Sequence, residues 1–215
     1  FGLCADYDAI REIADAHHLA VLEDGAQGFG AEYHGRRACS LGDIAATSFF
    51  PAKPLGCYGD GGAVFTDDDE TAVRLRSLRV HGKGKTKYEN NSLGLNARLD
   101  TIQAAVLNCK LDLFEEEIAL RNRVASWYHE LLCSEVKKPE ISSGYQSVWA
   151  QYTIILPDYV NRSELQELLK ASGVPTMVYY ERPLHLQKAL AYLGGKPGDF
   201  PVSEYLSSHV LSLPM

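Results

Sequence analysis

Two prolines bracket a lysine at Pro51-Ala52-Lys53-Pro54, and Gly56, Gly59, Gly61 and Gly62 follow within nine residues. Proline fixes φ, removes a backbone N–H and biases the residue before it away from the α region. No helix can pass through this stretch, and no central strand can either. The apolar run at 45–50, Ala-Ala-Thr-Ser-Phe-Phe, reads as a strand that must end here and present Lys53 beyond its carboxyl end. The glycines permit a tight reversal into a further strand, Gly62-Ala63-Val64-Phe65-Thr66. A lysine held on a stiff segment among apolar and aromatic groups can have its amine desolvated, which lowers its pKa and makes it a nucleophile for a carbonyl. Taken alone, the stretch is equally compatible with a strand, a plain loop lysine and a hairpin turn. The rest of the chain must supply the partners that decide.

Residues 8–17 space Ile10, Ile13 and Ala14 on one helical face. The short apolar run 19–22 follows and ends at Glu23-Asp24. A helix, then a buried strand with acids at its carboxyl end, is the α/β pattern, and ligands in such sheets bind beyond the carboxyl ends of the strands. Asp24 therefore stands where chemistry is placed, although an Asp before Gly25 also suits a plain turn. The acid run Asp67-Asp68-Asp69-Glu70 caps a helix through about Leu78 and is read as favourable to its dipole, not as a metal site.

Residues 79–96 are polar and glycine-punctuated, a long loop. Gly84-Lys85-Thr86 within it looks like the tail of a phosphate-binding loop, but the required first glycine falls at Arg79 and no strand leads in. Gly59-Asp60-Gly61 fails as a dinucleotide fingerprint, because Val64 occupies the third glycine position and a strand follows. Residues 101–132 carry a long helical pattern, with Ile102, Val106, Cys109 and Leu113 and later Val124, Trp127 and Leu131. A break at 139–144 leads to a strand at 151–156, a helix at 163–172 and a short strand at 176–178, a small α+β domain. The division expected is 1–112 for part of a large α/β domain and 113–215 for a linking helix and a small, truncated domain.

The 215 residues suit one domain or one and a half. A net charge of −7 argues against a general nucleic-acid binder. No apolar run approaches the roughly 20 residues that span a bilayer, and residues 1–6 do not read as a secretory leader. Five scattered cysteines without a Cys-x-x-Cys suggest reduced thiols in a cytoplasm, with neither a disulfide framework nor a metal site. Both ends read as those of an internal fragment.

Three motifs meet in order: Glu23-Asp24-Gly25-Ala26-Gln27, Ser48-Phe49-Phe50-Pro51-Ala52-Lys53, and Gly94-Leu95-Asn96-Ala97-Arg98-Leu99-Asp100. Together with Thr101-Ile102-Gln103-Ala104-Ala105 and Tyr180-Glu181-Arg182-Pro183-Leu184-His185-Leu186-Gln187, they resemble the sugar aminotransferases of the DegT/DnrJ/EryC1/StrS family over nearly the whole chain. The resemblance implies fold type I, the aspartate aminotransferase-like α/β fold: part of a large domain with a mixed, mostly parallel sheet, plus a small α+β domain. It implies pyridoxal 5′-phosphate as cofactor, held by an internal aldimine on Lys53. Asp24 would pair with the pyridine nitrogen, Gln27 would contact the ring, and Ser48 would bind the phosphate. Asn96 would reach the phosphate of a neighbouring subunit's cofactor, which implies a homodimer with shared sites. Arg98, Tyr180 and His185 would face a nucleotide-linked sugar, although a packed Tyr and a surface His read equally well. Within the family, residues 53–62 resemble the branch that aminates the 3-position of UDP-linked N-acetyl uronic acids, with glutamate as donor.

Departures are Gly25, where Ala is more usual, and Tyr179, where a His commonly precedes the Tyr. The intact lysine disfavours the family's dehydratase members, in which His replaces it. The alternatives are a non-catalytic relative that binds a sugar nucleotide or regulates a partner, and another fold type I enzyme such as a cysteine desulfurase. The latter would need a reactive cysteine on a mobile loop, and no cysteine is clearly so placed.

Overall fold

The computed structural model describes residues 1–215, which fold as two units. One comprises residues 2–122 and 141–150; the other comprises Phe1, 123–140 and 151–215. The division falls inside a long helix after Asn122, whereas the sequence pattern puts it after Asp112. The first unit also takes back residues 141–150, so its chain is discontinuous.

The first unit opens with α1 (Tyr7–Ala16), capped by Asp6, whose carboxylate accepts from the Ala9 N–H at 3.1 Å. The expected apolar face is only partly used: Ala14 is buried, while Ile10 and Ile13 stand open. Strand β1 is Leu22–Asp24 and starts later than the apolar run suggests. Its inward residue is Glu23, at 2% exposure, and Leu22 points out at 70%. The acid is buried and the leucine is not, because successive strand residues face opposite sides.

A small antiparallel sheet of two-residue strands follows, β2 (Glu32–Tyr33) between β3 (Arg36–Arg37) and β6 (Tyr145–Gln146). The site-bearing sheet orders β1, β4 (Ile44–Ser48) and β5 (Gly62–Phe65). β1 and β4 run parallel, with Asp24 beside Ala46, and β4 and β5 run antiparallel, with Ser48 beside Gly62. Helix α2 (Asp69–Leu78) is capped by Asp68, which accepts from the Thr71 N–H at 2.7 Å. Residues 79–100 hold no helix or multi-residue strand, only the bridges Val80–Asn96 and Lys83–Asn90.

Helix α3 (Thr101–Leu131) supplies Leu107, Phe114 and Ile118 to a core that also takes in Ala31, Ala38, Phe49, Leu55, Cys57 and Val148. Phe29 joins it, edge-on to Phe49 and stacked on Phe65 and Phe114. This core lies directly beneath the Lys53 segment, since Phe49, Leu55 and Cys57 belong to both.

In the second unit, β7 (Tyr152–Ile155) pairs antiparallel with β8 (Val210–Leu213), with Tyr152 beside Leu213 and Ile155 beside Val210. Helices α4 (Arg162–Ala171) and α5 (Pro201–His209) belong to it, as do two short 3-10 segments, Leu184–Leu186 and Lys188–Leu193. The strand expected at 176–178 reduces to one bridge, Met177 with Ser212.

Candidate active site

The parallel pairing of β1 and β4 brings two carboxyl ends to one edge of the sheet. Asp24 is the last residue of β1 and Ser48 the last of β4, and Lys53 lies five residues beyond Ser48. This is the edge at which open α/β sheets bind ligands.

The Asp24 carboxylate is exposed, and its Oδ1 accepts from the Ala26 N–H at 3.0 Å. The following residue is fixed at both peptide groups: the Gly25 N–H donates to the Ala46 carbonyl at 2.8 Å, and its own carbonyl accepts from Thr47 Oγ1 at 3.1 Å. The Gly25 carbonyl also accepts from the Gly28 and Phe29 N–H groups, closing a turn that carries the half-buried Gln27. Ser48 Oγ accepts from the Phe50 N–H at 3.2 Å, which leaves its own proton to donate elsewhere.

Lys53 is half-buried on a closed loop. Its N–H donates to the Phe50 carbonyl, and the Cys57 N–H donates to the Phe49 carbonyl, both at 2.8 Å. The Cys57 thiol reaches the carbonyls of Phe49 (3.0 Å) and Gly59 (3.2 Å). Gly56 passes so close beneath the loop that a Cβ there would meet the Pro51 and Phe50 carbonyl oxygens at 2.6 and 2.8 Å. None of the ion pairs in the protein uses the Lys53 ammonium.

Helix α3 braces this loop from one face. Gln103 Oε1 accepts from the Tyr58 N–H at 2.7 Å, and Lys110 Nζ donates to the Gly56 carbonyl at 2.7 Å while lying 5.4 Å from the Tyr58 ring centre. Gln103 and Lys110 are seven residues apart, two helical turns, and so share a face. Their bracing role, like the hydroxyl of Thr47, is not visible in sequence. The signal available was the position of Gln103 and Lys110 on the helix that follows the third motif.

Asn96 and Arg98 are exposed in the same unit, and the Arg98 Nε and Nη2 donate to Asn96 Oδ1 at 3.1 and 2.9 Å. That leaves the Asn96 amide nitrogen, a donor, directed away from the guanidinium. Tyr180 and His185 belong to the other unit. Tyr180 is exposed. His185 Nε2 lies 3.0 Å from Glu204 Oε1, its ring packs 4.8 Å from that of Phe200, and the Glu204 carboxylate also accepts from the N–H groups of Gly198 and Phe200. Those bonds hold the Glu204 carboxyl below its usual range, the Gly198 N–H contributing most. An apolar groove of about 780 Å³ in that unit is lined by residues that include Tyr179, Tyr180, Arg182, Leu184, Phe200 and Val202.

Sequence and structure comparisons agree on the relatives of this chain. It is 49% identical over 216 residues to the UDP-2-acetamido-2-deoxy-3-oxo-D-glucuronate aminotransferase of Pseudomonas aeruginosa, covering 100% of this chain and 58% of that protein. It is 46% identical over 219 residues to the pleiotropic regulatory protein of Geobacillus stearothermophilus, again covering 100% and 58%. The crystal structure of a DegT DnrJ EryC1 StrS aminotransferase from Brucella abortus superposes with a TM-score of 0.93 at 50% identity, over 100% of this chain and 57% of that one. The chain thus spans a little over half the length of these relatives, and its fold is the corresponding part of fold type I. A family profile described as the DegT/DnrJ/EryC1/StrS aminotransferase family matches residues 1–215, and with it the chain belongs to that family.

Proposed function

We propose that this chain carries the lysine-bearing part of a pyridoxal-phosphate-dependent aminotransferase acting on a nucleotide-linked keto sugar. One observation carries the reading: Asp24, with an exposed carboxylate, and Ser48, with an uncommitted hydroxyl proton, end two parallel strands at one sheet edge, and Lys53, outside any ion pair, follows on the loop that β4 feeds. That donor set fits pyridoxal phosphate, which offers a pyridine nitrogen, a carbonyl and a phosphate.

Bound cofactor supplies a carbonyl for imine exchange and a ring that withdraws electrons. The chain's own residues do the rest. Asp24, as an anion, holds a proton on the ring nitrogen. Gln27 orients the ring from the same turn. Ser48 donates its hydroxyl proton to the phosphate. Lys53 would hold the cofactor through Nζ, and its free amine would be the group that holds or moves a proton at the reacting carbon. The fixed loop would keep Nζ in one place for both roles.

The substrate class follows the name of the Pseudomonas aeruginosa relative, a UDP-linked 3-keto N-acetyl uronic acid; glutamate is the amino donor proposed from the resemblance to that branch of the family. Arg98, a planar fork suited to carboxylate or phosphate, and Tyr180 serve that substrate. Asn96 would offer its amide nitrogen to the phosphate of a second subunit's cofactor, which makes a homodimer the working form; the cytoplasm is proposed separately, from the five scattered cysteines. His185, engaged by Glu204, serves by holding the segment that carries Tyr180. The similarity to a regulatory protein keeps a second reading in view, a sugar-nucleotide binder without turnover. The joint presence of Lys53 and Asp24 favours catalysis, because a binder has no use for the pair.

The test uses the full-length protein. Addition of pyridoxal phosphate should produce a yellow absorbance, and borohydride reduction should leave the label on the peptide containing Lys53. Lys53→Ala should abolish both. Absence of the absorbance, or label scattered over surface lysines, would move the weight to the non-catalytic reading.

A further inference from the structure

The Asp24 turn is backed by a residue that takes no part in the chemistry above. Glu23 is the buried residue of β1, and its carboxylate accepts from the Cys39 N–H at 2.6 Å and the Leu41 N–H at 3.0 Å. Cys39 has a φ of 71°, a left-handed conformation that side-chain-bearing residues adopt at a cost. The bonds to Glu23 hold it there. In this position the Cys39 sulfur lies 2.3 Å from where a Cβ on Gly25 would stand, while the Cys39 Cβ lies 3.9 Å from the same point, an ordinary contact. The sulfur, and not the backbone of the 38–41 turn, therefore limits what can follow Asp24.

Gly25 cannot step aside. Its N–H is held by Ala46 and its carbonyl by Thr47, Gly28 and Phe29. With the thiol in its observed position, a Cβ at residue 25 would press on the sulfur, and whatever the sulfur does not relieve by rotating would be passed along the peptide to Asp24. We propose that Cys39, seated by Glu23, is a positioning residue for Asp24, acting through the packing of its sulfur against Gly25. The proposal rests on the reading of Asp24 as the partner of the cofactor's ring nitrogen. The thiol acts as a neutral, packed group: burial first, and then the charge of Glu23, push it up to about 12.

A cycle of four full-length proteins tests this: wild type, Gly25→Ala, Cys39→Ala and the double variant. Three quantities are read for each: the dissociation constant for pyridoxal phosphate by absorbance titration, the pH midpoint of the absorbance band, and the melting temperature without cofactor. Gly25→Ala should bind about 10-fold more weakly and shift the midpoint, the size of effect seen when a supporting shell is disturbed. The double variant removes the clash and should recover to within about 3-fold of wild type, a strongly non-additive result. If Gly25→Ala does not fold, Cys39→Ala alone carries the test, since loss of the backing should weaken binding about 3-fold and move the midpoint. A double variant no better than Gly25→Ala would overturn the proposal. So would variants that change only melting temperature while affinity and midpoint hold, because that is packing without positioning. A wild type that fails to load defeats the functional reading and takes this proposal with it; a wild type that loads with a flat cycle defeats the proposal alone.

Discussion

Beyond the bond from its own N–H to the Phe50 carbonyl, Lys53 is held in place by groups that brace its loop. The loop from Phe49 to Gly59 closes on itself through Cys57 and is then pinned from outside by Gln103 and Lys110. Lys110→Met keeps the aliphatic stem and removes the donor to the Gly56 carbonyl. The expected loss is about 1 kcal/mol, the net worth of a part-buried hydrogen bond. Amide exchange should quicken at Cys57 and Tyr58 and leave Ala45 and Thr47 unchanged, which mass spectrometry of peptic fragments would read. Equal acceleration in both regions would mean that Lys110 supports the sheet and not the loop. At this scale the sequence was informative about chemistry-bearing residues and silent about their supports. Asp24 and Lys53 could be placed at or beyond strand ends from apolar runs and breakers, whereas β4 ends at Ser48, two residues before the apolar run does. Glu23 could not be told from Asp24, because which of two adjacent acids faces inward depends on a strand register that starts at Leu22.

Among the elements, those with long periods or clear caps were legible, and those fixed by partners were not. Helices α1, α2, α3 and α4 follow from spacing and from Asp6, Asp68 and Asn161 ahead of them. Strands β2, β3 and β6 are two residues long and carry no period; they exist because Glu32 and Tyr33 pair on both sides. Helix α5 did announce itself, with Pro201 at its first position and Glu204 in its first turn, a start signal easily passed over beside a stretch rich in Gly and Pro. Strand β8, Val210-Leu211-Ser212-Leu213, is a short, mostly apolar run, and only its pairing with β7 distinguishes it from a helix end. The caps can be tested singly. Asn161 Oδ1 accepts from the N–H groups of both Ser163 and Glu164. The Asn161 Nδ2 also donates to Glu164 Oε1 at 2.9 Å, so an aspartate here would set two carboxylates together. Asn161→Ala should cost about 1 kcal/mol and Asn161→Ser much less, because serine keeps an acceptor for the helix N–H groups. Denaturant titration of the three proteins would rank them; a Ser variant as weak as Ala would show that the acceptor contributes little here.

For the whole molecule, stability against pH should form a plateau with two arms of different origin. The acid arm comes from carboxylates held below their usual values of 3.8 for aspartate and 4.5 for glutamate: Asp6 mainly by the Ala9 N–H, Asp43 by the Val21 N–H, Asp68 by Thr71, and Glu204 by the Gly198 N–H. A depressed carboxylate binds fewer protons folded than unfolded, so its contribution is complete above 3.8 or 4.5 and is lost as pH falls from there toward the folded value. The alkaline arm has the opposite sign; Tyr128, Tyr152, Tyr159 and Tyr205 of the second unit are raised as well, but the largest shifts gather in the first unit. Cys4 is raised to about 11 and Cys39 and Tyr7 to about 12, in each case first by burial and then by the charge of Glu23; Tyr33 reaches about 12 through burial and its bond to Asp6. These groups keep their protons in the folded state after the unfolded chain has lost them, at about 9 for cysteine and 10 for tyrosine. Their contribution is intact below those values and drains away as pH climbs toward 11 and 12. Denaturant midpoints measured from pH 3 to 11 should therefore be flat between about 5 and 9 and fall on both sides. Cys39→Ala should make the alkaline arm shallower and leave the acid arm in place, since it removes one of the raised groups and none of the depressed ones. An alkaline arm unchanged by that substitution would remove Cys39 from the groups around Glu23 that set it.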